Sequence, residues 1–122
     1  MGQVSEGYRK LATIMYLIQS GSLDKNSILF WDEPENNMHP KTIVSIVDIL
    51  CQLANMGIQV IIATHSLFIQ QVFDRQTQKK LDIKFFSLFQ DNRSISVDSA
   101  NLVNELKHNV IMENIMEEFE PI

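Results

Sequence analysis

Two short apolar runs, each followed by polar residues, constrain the fold of this chain more than any other feature. The first run is Ile28-Leu29-Phe30-Trp31 and the second extends from Ile58 to Ala63. Between them, Pro40 suits a helical first turn, apolar residues recur at helical spacing, and Gly57 ends the pattern. Strand, helix and strand at this spacing predict a crossover that makes the two strands parallel. The uninterrupted apolar character predicts that the first strand is covered on both faces. The helix should bury Ile43, Ile46, Val47, Leu50 and Leu53.

Polar side chains follow both predicted strands. Asp32 and Glu33 come directly after the first, and Thr64, His65 and Ser66 come after the second. Parallel strands end at one edge of their sheet, and open α/β sheets bind ligands at that edge. We therefore expect Asp32 and His65 to lie near each other there.

Weaker patterns complete the predicted architecture. Helices are expected over residues 5–20 and 66–74, a strand pair over residues 83–89 and 94–97, and a final helix over residues 99–119. In the first helix, Leu11, Ile14, Met15 and Ile18 should form one buried face. The predicted fold class is α/β, with parallel strands flanked by helices and then a C-terminal hairpin and helix. With 122 residues and 45% hydrophobic content, one domain over residues 1–122 is expected.

Composition excludes several classes of protein. Lys and Arg number 10 against 15 Asp and Glu, and a formal net charge of -5 gives no electrostatic footprint for nucleic acid. Cys51 is the single cysteine, so no internal disulfide is possible and a cytoplasmic location is expected. No apolar run approaches the roughly 20 residues that span a bilayer. The histidines and Cys51 lack metal-ligand spacing, so no zinc site is predicted.

The acid pair after the first strand suggests divalent-metal chemistry. Asp32 can hold Mg²⁺ directly or through water, while Glu33 points elsewhere and can orient or deprotonate a water. Judged alone, an Asp-Glu-Pro turn in solvent explains these residues equally well. His65 can hydrogen-bond a γ-phosphate or an attacking water, although a hydrogen-bonded loop histidine is the simpler interpretation.

The segment Val4-Ser5-Glu6-Gly7 precedes the first predicted helix. Ser5 can cap that helix, and Gly7 allows backbone to approach a ligand closely. A polyphosphate at this helix N-terminus would meet N–H donors and a favourable dipole. A plain helix cap is the alternative.

Together the three segments resemble the ABC-type ATPases, and more closely their SMC/RecF-like and OLD-like branch of AAA-family ATP-binding proteins. Residues 4–7 resemble the signature motif, residues 28–34 resemble Walker B with its adjoining glutamate, and residues 63–66 resemble the switch-histidine segment. Residues 34–40 resemble the D-loop region of that branch. The resemblance covers about residues 4–74, and Glu6 and Tyr8 depart from the transporter form of the signature.

This resemblance implies a set of roles and partners. Asp32 would assist Mg²⁺, Glu33 would act on the hydrolytic water, His65 would sense the γ-phosphate, and Ser5 with Gly7 would meet ATP bound to an opposing subunit. No G-x-x-x-x-G-K-S/T loop occurs among the 122 residues. The expected partners are therefore a P-loop lobe and a second ATPase module, most simply in a homodimer. A nuclease or DNA partner outside this chain and a role in DNA repair, chromosome maintenance or defence are also implied. The alternative is a non-catalytic module that binds or regulates a complete ATPase.

Overall fold

The computed structural model describes residues 6–79 and 81–119. They belong to two compact units, one within residues 1–65 and the other within residues 66–122. The elements in chain order are α1 (Glu6–Gln19), β1 (Ile28–Asp32), α2 (Pro40–Asn55), β2 (Gln59–Ala63), α3 (Leu67–Gln76), β3 (Phe85–Asp91), β4 (Ser94–Ala100) and α4 (Val110–Glu118). No helix in the described ranges is long and apolar enough to cross a membrane.

Helix α2 is the main buried element of the first unit. It begins at Pro40, whose missing N–H is no loss in a first turn. His39 caps this end, because its Nδ1 atom accepts a hydrogen bond from the backbone N–H of Lys41 at 3.2 Å. After the helix, Gly57 has a φ of +96°, which reverses the chain toward β2 at little conformational cost. The predicted apolar face is confirmed, since all five of its residues are buried.

Helix α1 confirms the predicted N-terminal helix but not all of its buried face. Leu11 and Ile14 are buried, whereas the Met15 side chain is 52% exposed. Ile18 is half-buried. Met15 is next to Ile14 in sequence and so projects about 100° away around the helix, which takes it off the buried stripe.

Strands β1 and β2 pair in parallel, as predicted. The register runs from Ile28 beside Gln59 to Asp32 beside Ala63. Each strand is five residues long. Both strands therefore deliver their polar C-terminal residues to one edge of this small sheet.

The two faces of this sheet differ, which corrects the prediction that β1 is covered on both sides. Trp31 is buried on one face, while Ile28 and Phe30 on the other face are 63% and 62% exposed. Ile61, the β2 partner of Phe30, is 40% exposed. An apolar run predicts burial on both faces, but the described residues of this unit cover only the Trp31 face.

The second unit contains the predicted hairpin. Strands β3 and β4 pair antiparallel, with Leu88 opposite Val97. Asn92 and Arg93 form the connection with φ values of 43° and 70°, the two positive values that a type I′ turn requires. The outer face of this hairpin is apolar and exposed, and consists of Phe86, Leu88, Ile95 and Val97.

The prediction of a helix over residues 99–119 is wrong for its first half. Strand β4 continues to Ala100, a short 3-10 turn follows at Val103–Glu105, and α4 begins only at Val110. Asp98 stabilises the irregular stretch, because its Oδ2 atom accepts the backbone N–H groups of Lys107 at 2.5 Å and His108 at 3.0 Å. These hydrogen bonds, that of His108 foremost, hold the pKa of the Asp98 carboxyl below its usual value.

Candidate functional site

The polar edge of the parallel sheet assembles the residues predicted for it. Asp32 ends β1 beside Ala63, and the backbone N–H of Glu33 extends the ladder by donating to the carbonyl of Ala63 at 2.8 Å. His65 lies two residues beyond Ala63. Asp32, Glu33 and His65 therefore occupy the same edge, as expected from the crossover.

Glu33 contacts both His65 and Asn36 at this edge. Its Oε1 atom lies 3.3 Å from Nε2 of His65, and its Oε2 atom accepts a hydrogen bond from the Asn36 side-chain amide at 3.1 Å. The His65 side chain is 88% exposed and that of Glu33 is 35% exposed. Both carboxylate oxygens are thus oriented by neighbours, while the imidazole faces solvent and can reach an incoming group.

The backbone of this loop has unusual conformations. Glu33 has a φ of 50° and Asn37 a φ of 59°, both in the left-handed region that side chains with a Cβ disfavour. Left-handed asparagine is comparatively common, but left-handed glutamate is not. Such conformations persist when surrounding contacts hold them, and they concentrate at functional sites.

A second contact joins the same two loops. The Thr64 hydroxyl donates to Oε1 of Glu35 at 2.5 Å. The other oxygen, Oε2, is inaccessible to solvent and has no hydrogen-bond partner among the described residues. Neither Asn36 nor Glu35 was predicted to have a role of its own, although both lie within residues 34–40, which resemble a D-loop region.

Gly7 lies beside this loop in a way the sequence did not indicate. Gly7 is buried, and a Cβ atom built on it would lie 1.3 Å from Cε of Met38. A side chain at Gly7 would therefore require the end of the Met38 side chain to shift. Ser5, the other predicted ligand-binding residue of this segment, lies outside the described residues.

A small cavity connects the start of α1 with the acid pair. It measures about 30 Å³. It is lined by Gly7, Lys10, Trp31, Glu33, Pro34, Asn36 and Met38. This is room for a water molecule or two and far too little for a nucleotide.

The Trp31 side chain is one of the residues that line this cavity. Its ring is buried, and the Lys10 ammonium lies 5.9 Å from the ring centroid in a cation–π arrangement. The indole Nε1 atom is buried without a hydrogen-bond partner in the described part of the chain. Lys10 and Glu33 both line this cavity.

Protein groups of the described ranges do not form a metal cage. No group of three or more His, Cys, Asp or Glu side chains in those ranges could hold a metal ion. The edge instead offers separate carboxylates at Asp32 and Glu33. Mg²⁺ commonly binds through one or two carboxylates together with substrate phosphates and waters, so this edge fits a phosphate-bound Mg²⁺ better than a permanent metal centre.

Comparison with known proteins places this chain in a family. The family model described as "AAA domain, putative AbiEii toxin, Type IV TA system" matches residues 1–69, more than half of the chain. The chain is 42% identical over 62 residues to the Old nuclease of Escherichia phage P2, covering 47% of this chain and 11% of that protein. It is 36% identical over 59 residues to the glutamine transport ATP-binding protein GlnQ of Geobacillus stearothermophilus, covering 48% and 24%. The chain thus spans about a tenth and a quarter of these relatives.

A solved structure supports the fold assignment independently. It belongs to a study of ATP-driven dimerization and DNA-stimulated activation of SMC ATPases, and matches with a TM-score of 0.57 at 14% sequence identity. The match covers 98% of this chain and 63% of that one. Such a likeness shows the fold, which is that of a P-loop NTPase lobe. With the family model spanning residues 1–69, it follows that the chain belongs to this AAA-domain family.

Proposed function

We propose that this chain is the C-terminal part of an ABC-type ATPase domain that binds and hydrolyses ATP as a dimer. The observation that carries the proposal is the contact between Glu33 and His65 at the carboxyl edge of two parallel strands. A sheet has no structural need for an acid pair and a histidine at one edge, whereas phosphoryl transfer to water needs such a set.

Asp32 is proposed to hold Mg²⁺ together with the phosphates of ATP. Its side chain is exposed at the end of β1 and accepts no hydrogen bond from the described residues, so the carboxylate is available to a cation. Mg²⁺ bound with ATP neutralises charge that develops on the phosphate oxygens. Asp32 would place that charge next to Glu33.

Glu33 is proposed as the group that orients a water and takes its proton. The Asn36 amide donates to Oε2, and His65 lies beside Oε1, so both carboxylate oxygens have a polar neighbour before a substrate arrives. Fixing the base in advance avoids an ordering cost during the reaction. His65, exposed beside it, is proposed to hydrogen-bond the γ-phosphate.

Ser5 and Gly7 are proposed to meet ATP held by a second module. The roughly 30 Å³ cavity beside Gly7 cannot hold a nucleotide, so the N-terminus of α1 would act on a nucleotide presented from outside. The partner would be a second copy whose P-loop lobe cradles the phosphates. Hydrolysis would then be tied to opening and closing of the dimer.

The process driven by this dimer is proposed from the family resemblance. DNA repair, chromosome maintenance or defence against foreign DNA would fit, with a nuclease or DNA-binding partner outside this chain. The alternative is a non-catalytic module that binds a complete ATPase. No P-loop motif occurs among the 122 residues, so the first function depends on a P-loop lobe that lies outside them.

The test compares two acid-to-amide variants of the full-length protein. Glu33→Gln should lower the rate of phosphate release by on the order of 10²- to 10⁴-fold, because an amide cannot accept the proton. ATP should remain bound, and light scattering should show a trapped dimer. Asp32→Asn should weaken ATP affinity as well, since it removes charge beside Mg²⁺.

Asp48→Asn serves as the matched control, since Asp48 is an exposed carboxylate on α2 that accepts a hydrogen bond from Gln52 of the same helix. It should behave as wild type in both assays. If Glu33→Gln hydrolyses ATP at the wild-type rate, Glu33 is not the base. If the unmodified full-length protein neither binds nor hydrolyses ATP, the catalytic proposal is wrong.

A further inference from the structure

The loop after β1 and the loop after β2 are joined by two side-chain contacts of different character. One is the contact between Glu33 and His65, whose imidazole is 88% exposed. The other is the hydrogen bond from Thr64 to Glu35, which is partly buried and spans 29 residues of sequence. Exposed ion pairs contribute little to holding two segments together, because solvent and salt screen them.

The Thr64–Glu35 contact is the stronger candidate for fixing the two loops. The Thr64 hydroxyl and the Glu35 carboxyl oxygen lie 2.5 Å apart in a part-buried position, where water competes for the hydrogen bond less than at the exposed Glu33–His65 contact. The inaccessible Oε2 atom of Glu35 has no donor among the described residues. Loss of the Thr64 donor would therefore leave a shielded carboxylate with its hydrogen bonding further reduced.

In each of the two loops, the residue of one contact lies next to, or two positions from, the residue of the other contact. Thr64 immediately precedes His65, and Glu35 lies two residues after Glu33. Movement of Thr64 relative to Glu35 must therefore move His65 relative to Glu33. Because the Glu33 backbone adopts a φ of 50°, this loop also needs outside contacts to hold its conformation.

We propose that Glu35 and Thr64 are positioning residues whose hydrogen bond sets His65 against Glu33. This inference rests on the proposed function for its consequence in catalysis. Neither residue touches the reacting atoms; each acts through its neighbour. A displacement of about 1 Å at a catalytic group can cost on the order of 10²-fold in rate.

The first experiment separates positioning from general stability in the full-length protein. Thr64→Val keeps the shape but removes the hydroxyl, and should lower kcat for ATP hydrolysis by on the order of 10²-fold with little change in KM or ATP affinity. Thr64→Ser restores the hydroxyl and should restore kcat. Thr77→Val is the matched control, since it removes another part-buried threonine hydroxyl, which donates to the Asp74 carbonyl at 2.6 Å. It should leave kcat unchanged.

The second experiment needs no ATPase activity. The ring resonances of His65 are followed by NMR in the full-length protein, with His65→Gln identifying them. Glu33→Gln should shift these resonances in the wild-type background but not in the Thr64→Val background. Thr64→Ser should keep the wild-type response.

The outcomes distinguish the two proposals. Absence of ATP binding and hydrolysis in the wild type would overturn the proposed function, and the NMR response alone would then decide the positioning role. Wild-type kcat in Thr64→Val, or an equal loss in Thr77→Val, would overturn the positioning role. So would a His65 response to Glu33→Gln that survives Thr64→Val.

Discussion

Replacing Gly7 with alanine should destabilise the chain through Met38 and not through the backbone of α1. Gly7 lies in the first turn of this helix and has no positive φ, so alanine suits its conformation. The obstacle is the side chain of Met38, whose Cε and Sδ atoms would lie 1.3 Å and 2.7 Å from the new Cβ. Met38 must therefore leave its position.

The magnitude follows from two opposed effects. Alanine in place of glycine within a helix stabilises by about 0.5–1 kcal/mol, and by less in a first turn. Displacing a half-buried methionine, together with the strain of overpacking, costs about 1–3 kcal/mol. A net loss of about 1 kcal/mol is expected. In a Met38→Ala background the obstacle is gone, and the same Gly7→Ala change should stabilise by a few tenths of a kcal/mol.

Urea denaturation of the full chain and its single and double variants measures this coupling as a double-mutant cycle. A coupling free energy of roughly 1–2 kcal/mol is expected between the two positions. Met116→Ala, which removes a methionine that is 62% exposed in the other unit, should give no coupling to Gly7. A coupling to Met38 within about 0.3 kcal/mol of zero would refute the packing account.

Three further predictions concern other parts of the chain. Asp98→Asn should make stability depend less on pH under acidic conditions. A carboxyl whose pKa is lowered in the folded state stabilises the fold above its unfolded pKa of about 3.9, and this contribution is lost as pH falls through the folded pKa. The melting temperature should therefore fall further between pH 6 and about pH 3 for the wild type than for the variant. His39→Ala should lower the free energy of unfolding by about 0.5–1 kcal/mol, because it removes the side chain that caps α2, and His39→Asn should recover it, because asparagine can also cap a helix. Urea denaturation measures both changes. The 122-residue chain alone should bind ATP weakly or not at all, since the acid pair presents negative charge without a ring of N–H donors; micromolar affinity in titration calorimetry would contradict this.

The parallel strand pair and its polar edge were predictable because local patterns alone define them. The apolar runs, the proline start and the glycine stop of α2 each act within a few residues of sequence. The crossover rule then fixes the strand direction and brings Asp32 and His65 to one edge. The tertiary contacts of the two strands agree with the arrangement that these local patterns predict.

Other features depend on side chains distant in sequence, which a local pattern does not reveal. The Thr64–Glu35 bond and the packing of Met38 on Gly7 each require the folded loop. The stretch after β4 has helix-forming residues, yet Asp98 captures the backbone N–H groups of Lys107 and His108 and keeps it irregular. Tertiary hydrogen bonds here override helix propensity, which amounts to only tenths of a kcal/mol per residue.

The outer face of the β3–β4 hairpin has a practical consequence for solution behaviour. Its four apolar side chains are each more than half exposed, and a net charge of -5 supplies the repulsion that keeps molecules apart. That repulsion vanishes near the isoelectric point of about 5.0 and is shortened to a few ångströms in molar salt. Cooling weakens the attraction between such faces. Neutral pH, modest ionic strength and low temperature are thus the conditions in which this chain should be handled, and acidified or high-salt buffers should make it precipitate.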